Sequence, residues 1–153
     1  MPVLERETFV PAPRGAVFAF FGDPANLARI TPPSLGFTIV DAPARTLHAG
    51  DRIRYRIRIA GIPVTWVTRI TAWVEGTRFV DEQERGPYRI WRHEHLLDDA
   101  PGGTRMRDRV EYELPFGKAG AALGAWWVRR SLKTIFDFRE RAIREIFPPR
   151  RDV

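Results

Sequence analysis

With 153 residues, 44% hydrophobic and 29% charged, the chain has the size and balance of one globular domain over 1–153, leaving little room for a second domain or for long disorder. It holds no cysteine, which excludes a disulfide framework, a thiolate nucleophile and a thiolate metal site and suits a reducing cytoplasm. No apolar run approaches the ~20 residues of a membrane span, Met1 to Glu7 shows no signal-peptide core, and the net charge of +6 raises nucleic acid or an anionic membrane surface as partners to be weighed.

Val3 to Val10 is β-prone and stops at Pro11. Pro13 stands where a helix would begin, its missing N–H harmless in a first turn, and Phe18, Phe20 and Phe21 give that short helix an apolar face. Asp23-Pro24 predicts a second short helix, with Asp as N-cap and Pro in the first position. Leu27 and Ile30 face inward, and Thr31-Pro32-Pro33 ends it. Leu35 to Val40 predicts a second strand. From Gly50 the chain alternates with period two: Arg52, Arg54, Arg56 and Arg58 against Ile53, Tyr55, Ile57 and Ile59. Strands are predicted at 62–74, 77–84, 88–97 and 104–114. They are joined by short Gly- or Pro-bearing turns and by a loop at 98–103. After Pro115-Phe116-Gly117, one helix runs from Lys118 to about Ile146, roughly 45 Å long. Its apolar stripe is Leu132, Ile135, Phe136, Ile143, Ile146 and Phe147.

Directly opposed residues of antiparallel strands share a face. A two-residue turn at Ala60-Gly61 pairs Ile59 with Ile62, Ile57 with Val64 and Tyr55 with Trp66. A tight turn at Glu75-Gly76 pairs Val74 with Thr77, Ala72 with Phe79 and Ile70 with Asp81. A three-residue loop at Arg85-Gly86-Pro87 pairs Asp81 with Trp91 and Phe79 with His93. The last connection pairs His95 with Met106, His93 with Asp108 and Trp91 with Val110. One inner face results, and the outer face opposes Arg69 to Glu82, Arg78 to Glu94 and Glu94 to Arg107. A two-residue loop at Arg85 would instead turn Tyr88, Ile90 and Arg92 inward. The arginines of 52–58 alternate outward on a predicted edge strand, where charge blocks aggregation. No nucleic-acid-binding motif accompanies them, so a solvated basic face is expected and nucleic acid is not.

The predicted inner face is mixed. Ile53, Ile57, Ile59, Val64, Ile70 and Val110 are plain core; Tyr55, Trp66, Phe79, Trp91 and Tyr112 add rings; Thr68, Asp81, Gln83, His93, His95 and Asp108 are polar. A solid core would hardly accumulate so many polar groups, whereas apolar walls with a few convergent polar groups are how small-molecule cavities are built. Gly117, Gly120, Ala121 and Gly124 share one helical stripe. It serves either close helix–sheet packing or space for a ligand, with Gly120 and Gly124 then in the pocket wall.

Phe79-x-Asp81-x-Gln83-x-x-Gly86-Pro87-Tyr88-x-x-Trp91-x-His93-x-His95, followed by Asp108-x-Val110-x-Tyr112-x-Leu114-Pro115-Phe116-Gly117, resembles the START / polyketide cyclase-dehydrase (SRPBCC) superfamily, in its small bacterial ligand-binding branch. The opening Phe9, Val17-Phe18 and Asp23-Pro24-x-x-Leu27 is similar too. The resemblance implies an α+β helix-grip fold: a seven-stranded curved antiparallel sheet around the long C-terminal helix, with two short helices after strand one. It implies a carrier or binder of a lipid, polyketide or aromatic molecule in a cavity between sheet and helix. The alternative is a cyclase/dehydratase-type enzyme. It supplies no catalytic set.

From the residues themselves, His93 opposite Asp108 is either a general-base pair or a structural hydrogen bond. His95 with Asp108 or Asp81 could complete a two-histidine, one-carboxylate site, but no strong ligand spacing supports a metal. The expectation is therefore no metal and no cofactor. The serines Ser34 and Ser131 lie outside the sheet signature, and Gly102-Gly103 is a turn rather than a phosphate loop. The expected assembly is a monomer or weak homodimer.

Overall fold

Alternation of inward apolar and outward charged side chains draws most of the chain into one antiparallel sheet. The computed structural model describes residues 1–149, so 150–153 of the expected unit lie outside the described residues. The strands are β1 (Val3–Val10), β2 (Thr38–Asp41), β3 (Arg52–Ile59), β4 (Ile62–Val74), β5 (Arg78–Arg85), β6 (Ile90–Ala100) and β7 (Gly103–Glu113). They run in the order β1-β7-β6-β5-β4-β3-β2. Helix α1 (Arg14–Phe21) follows β1, and α2 (Gly117–Ile146) closes the chain. This is the expected helix-grip fold, a curved seven-stranded sheet holding the C-terminal helix.

The second short helix is of the tighter 3₁₀ type, over Pro24–Ile30, with a further 3₁₀ turn at Pro33–Leu35. Asp23 caps it as expected, its carboxylate accepting the Ala25 N–H at 3.0 Å. β2 pairs with β3 and takes the edge, so β3 is an inner strand. Arg52, Arg54, Arg56 and Arg58 are nevertheless all exposed, and Arg52 pairs with Glu84 at 2.6 Å.

The β3–β4 register matches expectation pair for pair. Between β4 and β5, Ile70 opposes Asp81 and Arg69 opposes Glu82 as expected. A bulge between Ile70 and Ala72 then places Val80, not Phe79, opposite Ala72, and Arg78, not Thr77, opposite Val74. The next two registers differ by two residues. Phe79 opposes His95 and Asp81 opposes His93, because the β5–β6 connection is longer than three residues. The Gln83 amide fills that connection: its Nε2 donates to the Tyr88 carbonyl at 2.6 Å, and its Oε1 accepts the Tyr88 N–H at 3.1 Å. The expected loop at 98–103 is instead mostly strand, turning only at Pro101-Gly102, so His95 opposes Asp108, His93 opposes Val110 and Trp91 opposes Tyr112. Glu94 consequently faces Arg109, not Arg107, and Arg78 reaches Glu94 diagonally at 2.7 Å. A slip of two preserves the face of every side chain, so the inner face survives both corrections.

Packing divides α2 into two halves. Ala142 and Ile143 join Val10, Val17, Phe18, Phe21 and Met106 in the main core, and Val128, Leu132 and Phe136 pack on Val110 and Tyr112. The first turns lie against Leu114 and Pro115, just past the end of β7. A β-carbon at Gly120 would collide with the Pro115 carbonyl, and one at Gly124 would press on Leu114. Gly120 and Gly124 therefore serve close packing, Gly117 and Ala121 face outward, and none of the four lines the cavity. No helix of the described residues is long and apolar enough to cross a membrane.

Candidate functional site

Sheet, short helices and the second half of α2 enclose a cavity of about 510 Å³, within the usual range for small-molecule sites. The sheet contributes Ile53, Tyr55, Ile57, Trp66, Thr68, Ile70, Phe79, Asp81, Trp91, His93 and His95. Phe21, Leu27 and Ile30 close one side; Leu132, Ile135, Phe136 and Arg139 of α2 form the roof. Exposed lining residues Ser34, Arg58, Ala60, Gly61 and Trp127 mark the mouth. The wall is largely aromatic. Tyr55 stacks on Trp66, Trp66 meets Trp91 edge-on, and the Trp66 indole N–H donates to Thr68 Oγ1 at 3.2 Å.

At the inner end the polar groups converge. The corrected register sets His93 beside Asp81 and His95 beside Asp108. Asp108 Oδ1 accepts from His93 Nε2 at 2.8 Å, lies 3.3 Å from His95 Nδ1 and forms an ion pair with Arg139 Nη2 at 3.2 Å, and Nη2 also stands 3.5 Å from His95 Nδ1. His95 Nε2 donates to Asp81 Oδ2 at 2.7 Å, while His93 Nδ1 stands 3.9 Å from the same oxygen. The imidazoles stack at 3.7 Å, and Phe79 covers the other face of His95 at 3.9 Å. Arg139 lies over the rings of Phe21 and Phe136, and its buried Nε has no hydrogen-bond partner among the described residues.

Charge follows from these contacts. Burial pushes the Asp108 carboxyl up, but the Arg139 charge and the bonds from both histidines outweigh it and hold it well below the ordinary range. Asp81 is likewise raised by burial and brought lower on balance by His95, His93 and Arg139. Burial and the neighbouring His95 depress His93; for His95, burial is overcome by the two carboxylates it bonds, and its pKa rises. Of the stacked pair, His95 is therefore the imidazole that holds its proton more tightly and His93, bonded through Nε2 to Asp108, the one that gives it up more readily. Burial also drives the Tyr55 and Tyr88 hydroxyls up, keeping both neutral.

Asp81, His93 and His95 offer ligand atoms within 4.8 Å of one another, the two-histidine, one-carboxylate set the sequence suggested with Asp81. A metal must lie near the plane of each imidazole that binds it, and two rings stacked 27° from parallel do not aim their lone pairs at one point ~2.1 Å from each. The arrangement is a hydrogen-bonded proton network, and a metal would require ring reorientation.

Of the residues expected in the pocket, Tyr55, Trp66, Thr68, Phe79, Asp81, Trp91, His93 and His95 line it. Gln83 does not, being committed to the β5–β6 connection. Asp108 sits behind the histidines, away from the lining, and Tyr112 packs under α2. Gly120 and Gly124 lie outside the cavity for the packing reason given above. Sequence reasoning missed Arg139. The signal was there: Leu132, Phe136, Arg139 and Ile143 follow 4, 3, 4 spacing, which puts a lone arginine inside the apolar stripe.

A family model described as "Polyketide cyclase / dehydrase and lipid transport" matches residues 1–137. No curated protein matches the sequence. Among solved structures, the chain is similar to TTHA0849 from Thermus thermophilus, with TM-score 0.74, 20% identity and 94% and 95% of the two chains covered. It is similar to protein Ms6760 from Mycobacterium smegmatis, with TM-score 0.70, 20% identity and 94% and 89% coverage. A protein from Arthrobacter aurescens gives TM-score 0.71 at 15% identity, with 94% and 86% coverage. At these identities the likeness is one of fold.

Proposed function

The chain belongs to the polyketide cyclase/dehydrase and lipid transport family, and on that premise we propose that it binds one small, largely apolar molecule of the lipid, polyketide or aromatic class, with an oxygen-bearing end turned to Arg139 and the histidines. The observation that carries this reading is the make-up of the 510 Å³ cavity: largely aromatic and aliphatic walls, with Asp81, His93, His95 and Arg139 gathered at the inner end. Apolar area supplies affinity, and the few buried polar groups fix orientation. Arg139 lines the inner end of the cavity and is a cation that a ligand oxygen would meet there. Native mass spectrometry of the purified protein, followed by extraction, tests it. A retained mass that proves apolar with an oxygen function supports it; a retained polar metabolite such as a nucleotide contradicts it.

A second reading is favoured by one further observation, that His93 lines the cavity while its Nε2 bonds Asp108 at 2.8 Å, with burial lowering its pKa. Nδ1 of His93 would take a proton from a carbon next to a ligand carbonyl. The C–H bond breaks, its electron pair moves to the carbonyl oxygen as an enolate, and Arg139 and His95–H⁺ oppose that charge. Such an enzyme would wash deuterium from D₂O into an enolisable ligand, and His93→Gln would abolish the exchange while leaving binding intact. A carrier would show no exchange with either protein.

A further inference from the structure

One apolar surface of the molecule is left uncovered. Phe116 is 87% exposed, and on the first half of α2 Leu123 is 89%, Trp126 70% and Trp127 48% exposed. The spacing of 123, 126, 127 and 130 puts Leu123, both tryptophans and Arg130 on one stripe, with Phe116 just ahead of the helix. Large apolar groups gathered in this way mark an interaction site. The charge beside them has one sign. Between Leu114 and Phe136 there is no acidic residue, while Lys118, Arg129, Arg130 and Lys133 all fall there and are exposed. The Arg130 guanidinium lies over the Trp126 ring, 5.4 Å from its centre. Among the described residues only Lys133 of these four has a carboxylate partner, Asp137 at 2.7 Å.

We propose that this face is a docking surface for an anionic lipid bilayer. Tryptophan prefers the boundary between headgroup and acyl chain, where its ring is buried and its N–H stays wet. A helix with Trp and Leu on one side and Lys and Arg beside them is built to lie in that boundary. A second copy of the chain fits poorly, since a two-fold pairing would set the same four cations against themselves. The patch also lies where it matters. Trp127, Ser131 and Ile135 line both the cavity and a surface groove of about 340 Å³ that Trp126 and Arg130 also border. Docking therefore brings the mouth of the cavity to the lipid, and an apolar ligand passes between bilayer and cavity without crossing water.

Co-sedimentation with vesicles of equal parts phosphatidylglycerol and phosphatidylcholine, against phosphatidylcholine alone, tests the proposal. The protein sediments with the anionic vesicles at about 50 mM salt and is released at about 500 mM, where screening is short-ranged. Arg129→Gln and Lys133→Gln each weaken binding about fivefold, and Leu123→Ser with Trp126→Ser weakens it at least about tenfold. None of these four residues lines the cavity. The variants are checked for unchanged thermal melting and unchanged binding of N-phenyl-1-naphthylamine, which separates loss of the surface from failure of the cavity. Equal sedimentation with both vesicle types, none with either at low salt, or undiminished binding by the variants overturns the proposal. So does a dimer that dissociates on Trp126→Ser, because a second copy then covers the patch.

Discussion

Asp108→Asn keeps the shape of the side chain and removes the charge that three buried groups share. Asp108 Oδ1 pairs with the Arg139 charge at 3.2 Å, accepts from His93 at 2.8 Å, and lies 3.3 Å from His95. Without the carboxylate the guanidinium stays buried over Phe21 and Phe136, and the amide must place an N–H₂ among donors. Removing one partner of a buried ion pair costs about 3–5 kcal/mol, a large share of the ~5–15 kcal/mol that holds a domain folded. For this chain length that is a fall of about 6–20 °C in melting temperature. Urea unfolding followed by tryptophan emission gives the free energy directly. The pH dependence changes as well. His95 has a folded pKa above its ordinary 6.5, so the stability it supplies is complete below 6.5 and is lost as pH rises through the folded value. Asp108 has a folded pKa well below 3.8, so its share is present above 3.8 and is lost as pH falls through the folded value. Asp108→Asn removes the Asp108 share of the acid-side loss, leaving that of Asp81, and flattens the decline above 6.5. A change under ~1 kcal/mol, or an unaltered slope above pH 6.5, would refute the buried network.

Nitrogen-detected NMR titration should place His95 above 6.5 and His93 below it; the reverse order would reassign the proton. Gly120→Ala should destabilise by about 1–3 kcal/mol in thermal or urea unfolding, because the added carbon meets the Pro115 carbonyl; a neutral result would restore the stripe as open space. Gln83→Ala loses two hydrogen bonds to Tyr88 and should cost about 1–3 kcal/mol. Amide exchange should quicken at Tyr88 and Arg89, with no acceleration contradicting the role given to Gln83.

The fold was legible because period-two alternation from Arg52 to Leu114 dictates faces independently of loop length. The β5–β6 and β6–β7 registers were misread by two, the displacement to which a face pattern is blind, and the turn end of β4–β5 by one, at a bulge that no residue pattern announced. What corrected them lies in side-chain reach: nothing in Arg85-Gly86-Pro87 announces that Gln83 bonds the backbone of Tyr88 five residues on. The pairing of His93 with Asp108 was anticipated from a register in which they stand directly opposite. They meet diagonally instead, and His95 is the residue opposite Asp108. Asp81 and the two histidines were readable as an inward cluster, yet Arg139, which sets its charge, comes from an element whose stripe was read for apolar residues alone. The small residues at 117–124 were ambiguous because close packing and reserved space ask for the same side chains.

The cavity itself is tested most directly by titrating the protein with N-phenyl-1-naphthylamine and comparing Ser131→Phe. Ser131 is half-buried on α2 and lines the cavity near its mouth, so a phenyl ring there enters the space a ligand needs without displacing a core side chain. Saturable one-to-one binding by the native protein, with quenching of emission from Trp66 and Trp91 and at least about tenfold weaker binding by a Ser131→Phe protein that melts normally, is the predicted result. A non-saturating rise in probe fluorescence, or equal binding by both proteins, would contradict the assignment of this cavity as the ligand site.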